Sequence, residues 1–231
     1  MKLLPDFELI KTIAKPSPTK IVLLVIDGLG GLPNPKTGKT ELETANTPNL
    51  DQLATKAICG LIDPVSPGIT PGSAPGHLAL FGYDPLTFTI GRGVLEAIGI
   101  DFPLESGDIA ARGNFCTVDE AGLVTDRRAG RISTEECAEL SKLLDGQVID
   151  NAKILVRPVK EHRFIAVFRG ERLSPNISDS DPQQTGVAPR IITTLAPQAN
   201  RTASIANQFI AQAKATLGGH HPANMVLLRG F

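Results

Sequence analysis

Residues 20–26, KIVLLVI, form an unbroken β-branched and aliphatic run that stops at Asp27 and the glycine-rich DGLGG. A run without polar alternation predicts a strand buried on both faces, which is the habit of parallel sheets covered by helices. In such α/β folds the carboxyl end of the strand is where ligands bind. The segment TPNLDQLATKAICG follows, with Thr47 as predicted N-cap, Pro48 at the first helical position, Leu50, Leu53, Ala54 and Ala57 on one face, and Gly60 as the stop. Asn49 is read there as part of helix initiation. Residues 60–65 are then expected to return as a strand.

At the end of that second strand lies TPGSAPGHLALFGYDP, residues 70–85, which sets Ser73 before a short predicted helix with His77 one turn on. Two readings stand side by side. Serine is a favoured N-cap, satisfying a free backbone N–H. A serine and a carboxylate such as Asp27, each at the end of its own parallel strand, could instead face one crevice, where a hard divalent cation would activate the hydroxyl toward a phosphoryl group. The helix N-terminus after Ser73 would add N–H groups aimed at an anion. His77 either reaches that site or packs beneath the turn.

From Asp108 the texture changes. RGNFCTVDEAGLVTDRRAGRI alternates and carries a turn at residues 120–122, the pattern of a hairpin. Ser133 and Glu136 suit a capping box for a helix running to about Leu144. ILVRP and RFIAVFRG predict strands, and residues 202–217 place Ala206, Phe209, Ile210, Ala213 and Leu217 on one helical face before Gly218. His162 stands at a strand start, where it either reaches a ligand or lies on the surface, and His220 and His221 fall in a GGHHPAN turn expected to be exposed. NMVLLRGF, at the end, is a fresh buried-strand pattern. The expectation is an α/β core over residues 1–108, an inserted α+β domain over 109–223, and the start of a return to the core over 224–231.

Composition narrows the partners. With a formal charge of −1, no basic run and no aromatic stacking series, neither nucleic acid nor an acidic membrane is expected, and no segment has the length of a span or the form of a signal peptide. Cys59, Cys116 and Cys137 form no CxxC pair and no disulfide framework, which fits a reducing cytoplasm. Ten of the twelve arginines lie between Arg112 and Arg201, whereas seven of the eleven lysines lie in the first sixty residues. Because the guanidinium fork suits carboxylate and phosphate, the middle of the chain is expected to hold a small anion.

Taken in order, VLLVIDGLGGLP, TPNLDQLA, TPGSAPGHLALFGYDP, GRGVLEAIG, GDIAARGNFCTV, DRRAGRI, HRFIAVFRG and NMVLLRG resemble the archaeal-type cofactor-independent phosphoglycerate mutases of the alkaline phosphatase superfamily. The resemblance runs from about Lys20 to the last residue. It implies a partial alkaline-phosphatase-like parallel sheet core interrupted by an inserted α+β substrate-binding domain. It implies interconversion of 3- and 2-phosphoglycerate through a phosphoserine on Ser73, and two divalent metal ions (Mn, Mg, Zn or Co) with Asp27 and Ser73 among their ligands. No 2,3-bisphosphoglycerate is required. Arg112, Asn114, Arg128, Arg131, Arg163, Arg229 and His77 are the residues it assigns to the substrate. At least one arginine of DRRAGR is expected to pair with Asp126 or another acidic neighbour instead, and Arg201 is read as helix-flanking. Members of the family continue past this point and draw further metal ligands from that later segment, so this chain by itself is expected to be inactive. Another phosphatase or phosphomutase of the superfamily, or a non-catalytic phosphoglycerate-binding fragment, are the alternatives.

Overall fold

The computed structural model describes residues 7–26, 29–69 and 71–231. The chain divides into two compact units, Met1–Thr87 and Phe88–Phe231.

Among its described residues the first unit contains four short helices, α1 (Phe7–Ile13), α2 (Glu41–Thr44), α3 (Pro48–Ala54) and α4 (Ser73–Leu80). Thr40 and Glu43 close a reciprocal capping box on α2. Pro48 opens α3 as expected, but α3 ends at Ala54, well before Gly60, and buries no side chain. The two strands expected here do not form. Residues 20–26 and 60–65 take no regular structure, and Ile21 and Leu61 are almost wholly exposed at 97% and 105%. A strand is a property of a ladder and not of one segment. Among the described residues of this unit there is no strand for the apolar run to pair with.

The second unit begins with α5 (Arg92–Gly99) and is built on one sheet of β1 (Ile109–Val118), β2 (Val124–Asp126), β3 (Val148–Ile149), β4 (Ala152–Lys160), β5 (Arg163–Arg169) and β6 (Met225–Arg229). Every pairing is antiparallel, and the expected parallel core is not seen among the described residues. β1 is central, with β5 along one edge and β6 along the other. The predicted hairpin between β1 and β2 turns at Gly122, whose φ of 79° only glycine adopts cheaply.

Side chains alternate between two apolar layers. Ala111, Phe115, Phe164, Ala166, Phe168, Ile154 and Val156 enter the main core with helices α6 (Thr134–Leu144) and α7 (Asn200–Leu217). Ala110, Leu155, Ile165 and Val167 point the other way and meet Ala97 of α5. Ser133 caps α6 by accepting the Glu136 N–H at 3.1 Å, as its position predicts. α7 buries Ala206, Phe209, Ile210, Ala213 and Leu217, the predicted face.

Residues 88–108 belong with the sheet, because α5 lies so close on it that a Cβ on Gly93 would fall 2.1 Å from the Ala110 carbonyl oxygen. The last strand joins this sheet: residues 112–116 of β1 pair with residues 225–229 of β6.

Candidate functional site

The second layer of the sheet is apolar only where α5 covers it. Further along the same face of β1 stand Arg112 and Asn114, and the antiparallel register sets Arg229 of β6 opposite Arg112 and Arg163 of β5 opposite Asn114. Residues directly opposite in a ladder hold their Cβ atoms roughly 5 Å apart, so three guanidinium side chains and one amide share a small patch. The register depends on Gly113, where a Cβ would meet the Phe164 ring at 2.2 Å. Phe164 lies over that bare backbone and packs on Phe115 with ring centroids 4.7 Å apart. A one-residue slip would lose this fit and turn the arginines into the core.

Only part of this charge is answered within the protein. Glu96 of α5 sits with Oε1 3.1 Å from Arg112 Nε, though off the N–H axis. Burial, with Arg229, Arg163 and Arg92 nearby, pulls Arg112 down to about 10 despite that carboxylate. Burial likewise lowers Arg229. Asp181 is deeply buried, which works against its ionisation, but Arg127 grips both its oxygens at 2.9 and 2.7 Å and holds the carboxyl below the usual range. Arg229 lies 3.7 Å from the same carboxylate.

Eight buried side-chain polar atoms among the described residues have no hydrogen-bond partner, and six belong to this neighbourhood: Glu96 Oε2, Arg112 Nε, Asn114 Oδ1, His162 Nδ1, Arg163 Nε and Arg229 Nε. Native interiors leave few such groups, since each costs about 1–3 kcal/mol. Four of the six lie on β1, β5 and β6, with Glu96 on α5 and His162 in the β4–β5 turn.

The other expected residues are placed as follows. Asp27 lies outside the described residues. Gly72, not Ser73, occupies the N-cap of α4, and Ser73 is the first helical residue, so the capping reading of that serine does not hold. His77 is exposed on α4 of the first unit. Arg128 is exposed in the turn after β2, where Asp126 accepts its backbone N–H at 2.8 Å and that of Gly130 at 2.7 Å. Arg131 points outward to Glu161 at 3.4 Å. Of the DRRAGR arginines it is therefore Arg127 that is committed to a buried carboxylate, and that carboxylate is Asp181. Asn49 lies within the first turn of α3, after the Thr47 N-cap. His220 and His221 are exposed.

His162 is not a surface residue: it is 5% exposed in the β4–β5 turn, and burial, reinforced by Arg163, pushes it down to about 4. Sequence reasoning missed Arg92, Glu96, Arg127 and Asp181. Asp181 is 54 residues from Arg127, and no local pattern marks the pair. Glu96 was discoverable only as a carboxylate on the sheet-facing side of an amphipathic helix.

The family model described as 2,3-bisphosphoglycerate-independent phosphoglycerate mutase matches residues 54–224. The chain belongs to that family. A relative from Deinococcus radiodurans, named "Probable 2,3-bisphosphoglycerate-independent phosphoglycerate mutase", is 47% identical over 96% of this chain and 55% of its own length. One of the same name from Thermus thermophilus is 45% identical over 97% of this chain and 56% of its own. This member of the mutase family thus spans about half the length of the curated relatives it matches. Among solved structures, the cofactor-independent phosphoglycerate mutase from Thermoplasma acidophilum is similar with a TM-score of 0.58 and 35% identity, over 89% of this chain and 58% of that one. The PH0037 protein from Pyrococcus horikoshii gives a TM-score of 0.64 at 30% identity, over 88% and 49%. The matched residues of the mutase family include the whole arginine-bearing face except Arg229. No described helix is long and apolar enough to cross a membrane.

Proposed function

We propose that the whole protein interconverts 3- and 2-phosphoglycerate, and that the sheet face of Arg112, Asn114, Arg163 and Arg229 is where this chain grips the substrate. The observation that carries the reading is the group of buried, unpartnered guanidinium nitrogens on that face, in a chain of the mutase family. Guanidinium forks match the carboxylate and phosphate of phosphoglycerate, and in a partly buried setting each charge-assisted bond counts for more than at an open surface. Arg128, exposed and not bound to a carboxylate in the structure, is proposed to contribute from the rim.

Ser73 is proposed as the phosphoryl acceptor, in keeping with its place at the first turn of α4, where backbone N–H groups stabilise negative charge. The core that carries it is proposed to be alkaline-phosphatase-like. Asp27 and Ser73 would be the first ligands of a divalent metal pair, which when bound lowers the hydroxyl's pKa and polarises the phosphoryl oxygen. Among the described residues no three His, Cys, Asp or Glu side chains form a metal-capable cluster. For the 231-residue chain itself the proposal is substrate binding through the arginine face.

The test is a titration of the ¹⁵N-labelled chain with 3-phosphoglycerate. Amide shifts on β1, β5 and β6, saturable and lost in Arg112→Met, are the expected result. Shifts confined elsewhere would remove the assignment. In the whole protein, mass spectrometry of a quenched reaction should find one phosphate on the Ser73 peptide. Release of free phosphate without interconversion would favour a phosphatase.

A further inference from the structure

We infer that Glu96 is a built-in competitor on the arginine face: its carboxylate is the counter-charge that makes the empty face tolerable, and it opposes the anion that replaces it. This regulation rests on the reading of the face as the substrate grip.

The seating of α5 delivers Glu96 to the face. The helix starts against the end of the last strand, where the Gly93 N–H donates to the Gly230 carbonyl at 2.9 Å and a Cβ on Gly91 would fall 2.6 Å from the Phe231 carbonyl oxygen. On its sheet side Gly93 presses on Ala110, and Ala97 is wholly buried in the second apolar layer. Backbone this close leaves the helix no room to slide. Glu96, three residues after Gly93, shares the sheet-facing side and meets Arg112, with the two side chains only 17% and 13% exposed.

A carboxylate beside an arginine can serve an anion site by accepting the Nε–H, which fixes the guanidinium plane and leaves its outer nitrogens to the ligand. Here that bond is not made. Oε1 lies 3.1 Å from Nε, yet Arg112 Nε and Glu96 Oε2 are both buried without a hydrogen-bond partner. Glu96 therefore supplies charge and not orientation. It favours the charged form of Arg112, while Arg229, Arg163 and Arg92 oppose it. Asp181, the other buried carboxylate nearby, is already gripped by Arg127. Negative charge held so close to the guanidinium lowers the cost of the empty face and repels an incoming anion through the same Coulomb interaction, and partial burial keeps salt from screening it. With α5 pinned, it is the glutamate side chain that turns aside when a ligand enters.

The test is Glu96→Gln in the 231-residue chain, which keeps the shape and removes the charge. Two readouts should move in a way that a merely structural glutamate would not produce. The urea midpoint of the ligand-free chain, read by exchange of the β5 amides, should fall. Binding of 3-phosphoglycerate, read by amide-shift titration, should nevertheless tighten about tenfold. Glycerate, which lacks the phosphate charge, should gain less. Glu96→Asp, which keeps the charge but withdraws it, should lie between the wild type and Glu96→Gln. Binding that is unchanged or weaker in Glu96→Gln, a gain as large for glycerate as for 3-phosphoglycerate, or a midpoint that does not fall overturns the inference while leaving the arginine face standing. Failure of 3-phosphoglycerate to bind either the wild type or Glu96→Gln overturns the face and the inference together.

Discussion

Replacing Arg112 by methionine should stabilise the ligand-free protein while abolishing its hold on anions. In the folded chain the guanidinium is pulled down to about 10, chiefly by burial and then by Arg229, Arg163 and Arg92. Its side chain is only 13% exposed, so solvent relieves little of this. At 1.36 kcal/mol per pH unit the charged form is disfavoured by about 3 kcal/mol relative to the unfolded chain. That figure already contains the attraction to Glu96, so the carboxylate's loss of its partner is not a further debit. Methionine follows the aliphatic stem but does not fill the guanidinium's volume, which takes back about 1 kcal/mol. The net expectation is a gain of about 2 kcal/mol, or an increase in the urea midpoint of about 1 M. With no tryptophan in the chain and its one tyrosine, Tyr83, in the first unit, fluorescence reports on the wrong place. Urea-dependent hydrogen exchange of the β5 amides, residues 163–169, reads the sheet directly. A midpoint that falls in Arg112→Met, or anion binding that survives it, would refute the argument that this face is held in an unfavourable state for a ligand.

Arg201, expected to matter little, lies in the first turn of α7 and bonds Asp150 Oδ2 at 2.9 Å and the backbone carbonyls of Asp150 and Glu171; Arg201→Ala should lower stability by about 2 kcal/mol in the same exchange assay and leave anion titrations unchanged. Gly93→Ala should lower it by about 1–3 kcal/mol, because the added Cβ meets backbone at Ala110 and α5 must lift, taking Glu96 away from Arg112. The buried His162 titrates at about 4 folded and near 6.5 unfolded. The unfolded chain therefore binds more protons between those values, and stability is full above about pH 6.5 and falls by up to about 3 kcal/mol as the pH drops to 4. Urea midpoints at pH 7 and 4.5 should differ less in His162→Gln than in the wild type; an unchanged difference would show that His162 is not the group responsible.

What the sequence by itself determined is local. The hairpin at Gly122, the Ser133 cap of α6, the buried face of α7 and the strands β4 and β5 all follow from patterns spanning a few residues, and each forms where it was expected. The arginine bias likewise raised the expectation of an anion site, and that site is a proposal. Tertiary structure decided the rest. The run at residues 20–26 had the composition of a buried strand, yet strand formation needs a neighbouring chain to accept its hydrogen bonds, and none of the described residues in its unit supplies one. The final strand's composition was equally plain, but composition does not choose a partner; β6 pairs with β1 across more than a hundred residues. Of the arginines named from sequence, register brings Arg112, Arg163 and Arg229 to one face, while Arg131 lies off the sheet in the turn after β2 and reaches outward to Glu161. Alternation is written in every second residue. Which residue lies opposite which is set by packing between distant segments, here by a bare glycine at 113 over which the Phe164 ring lies.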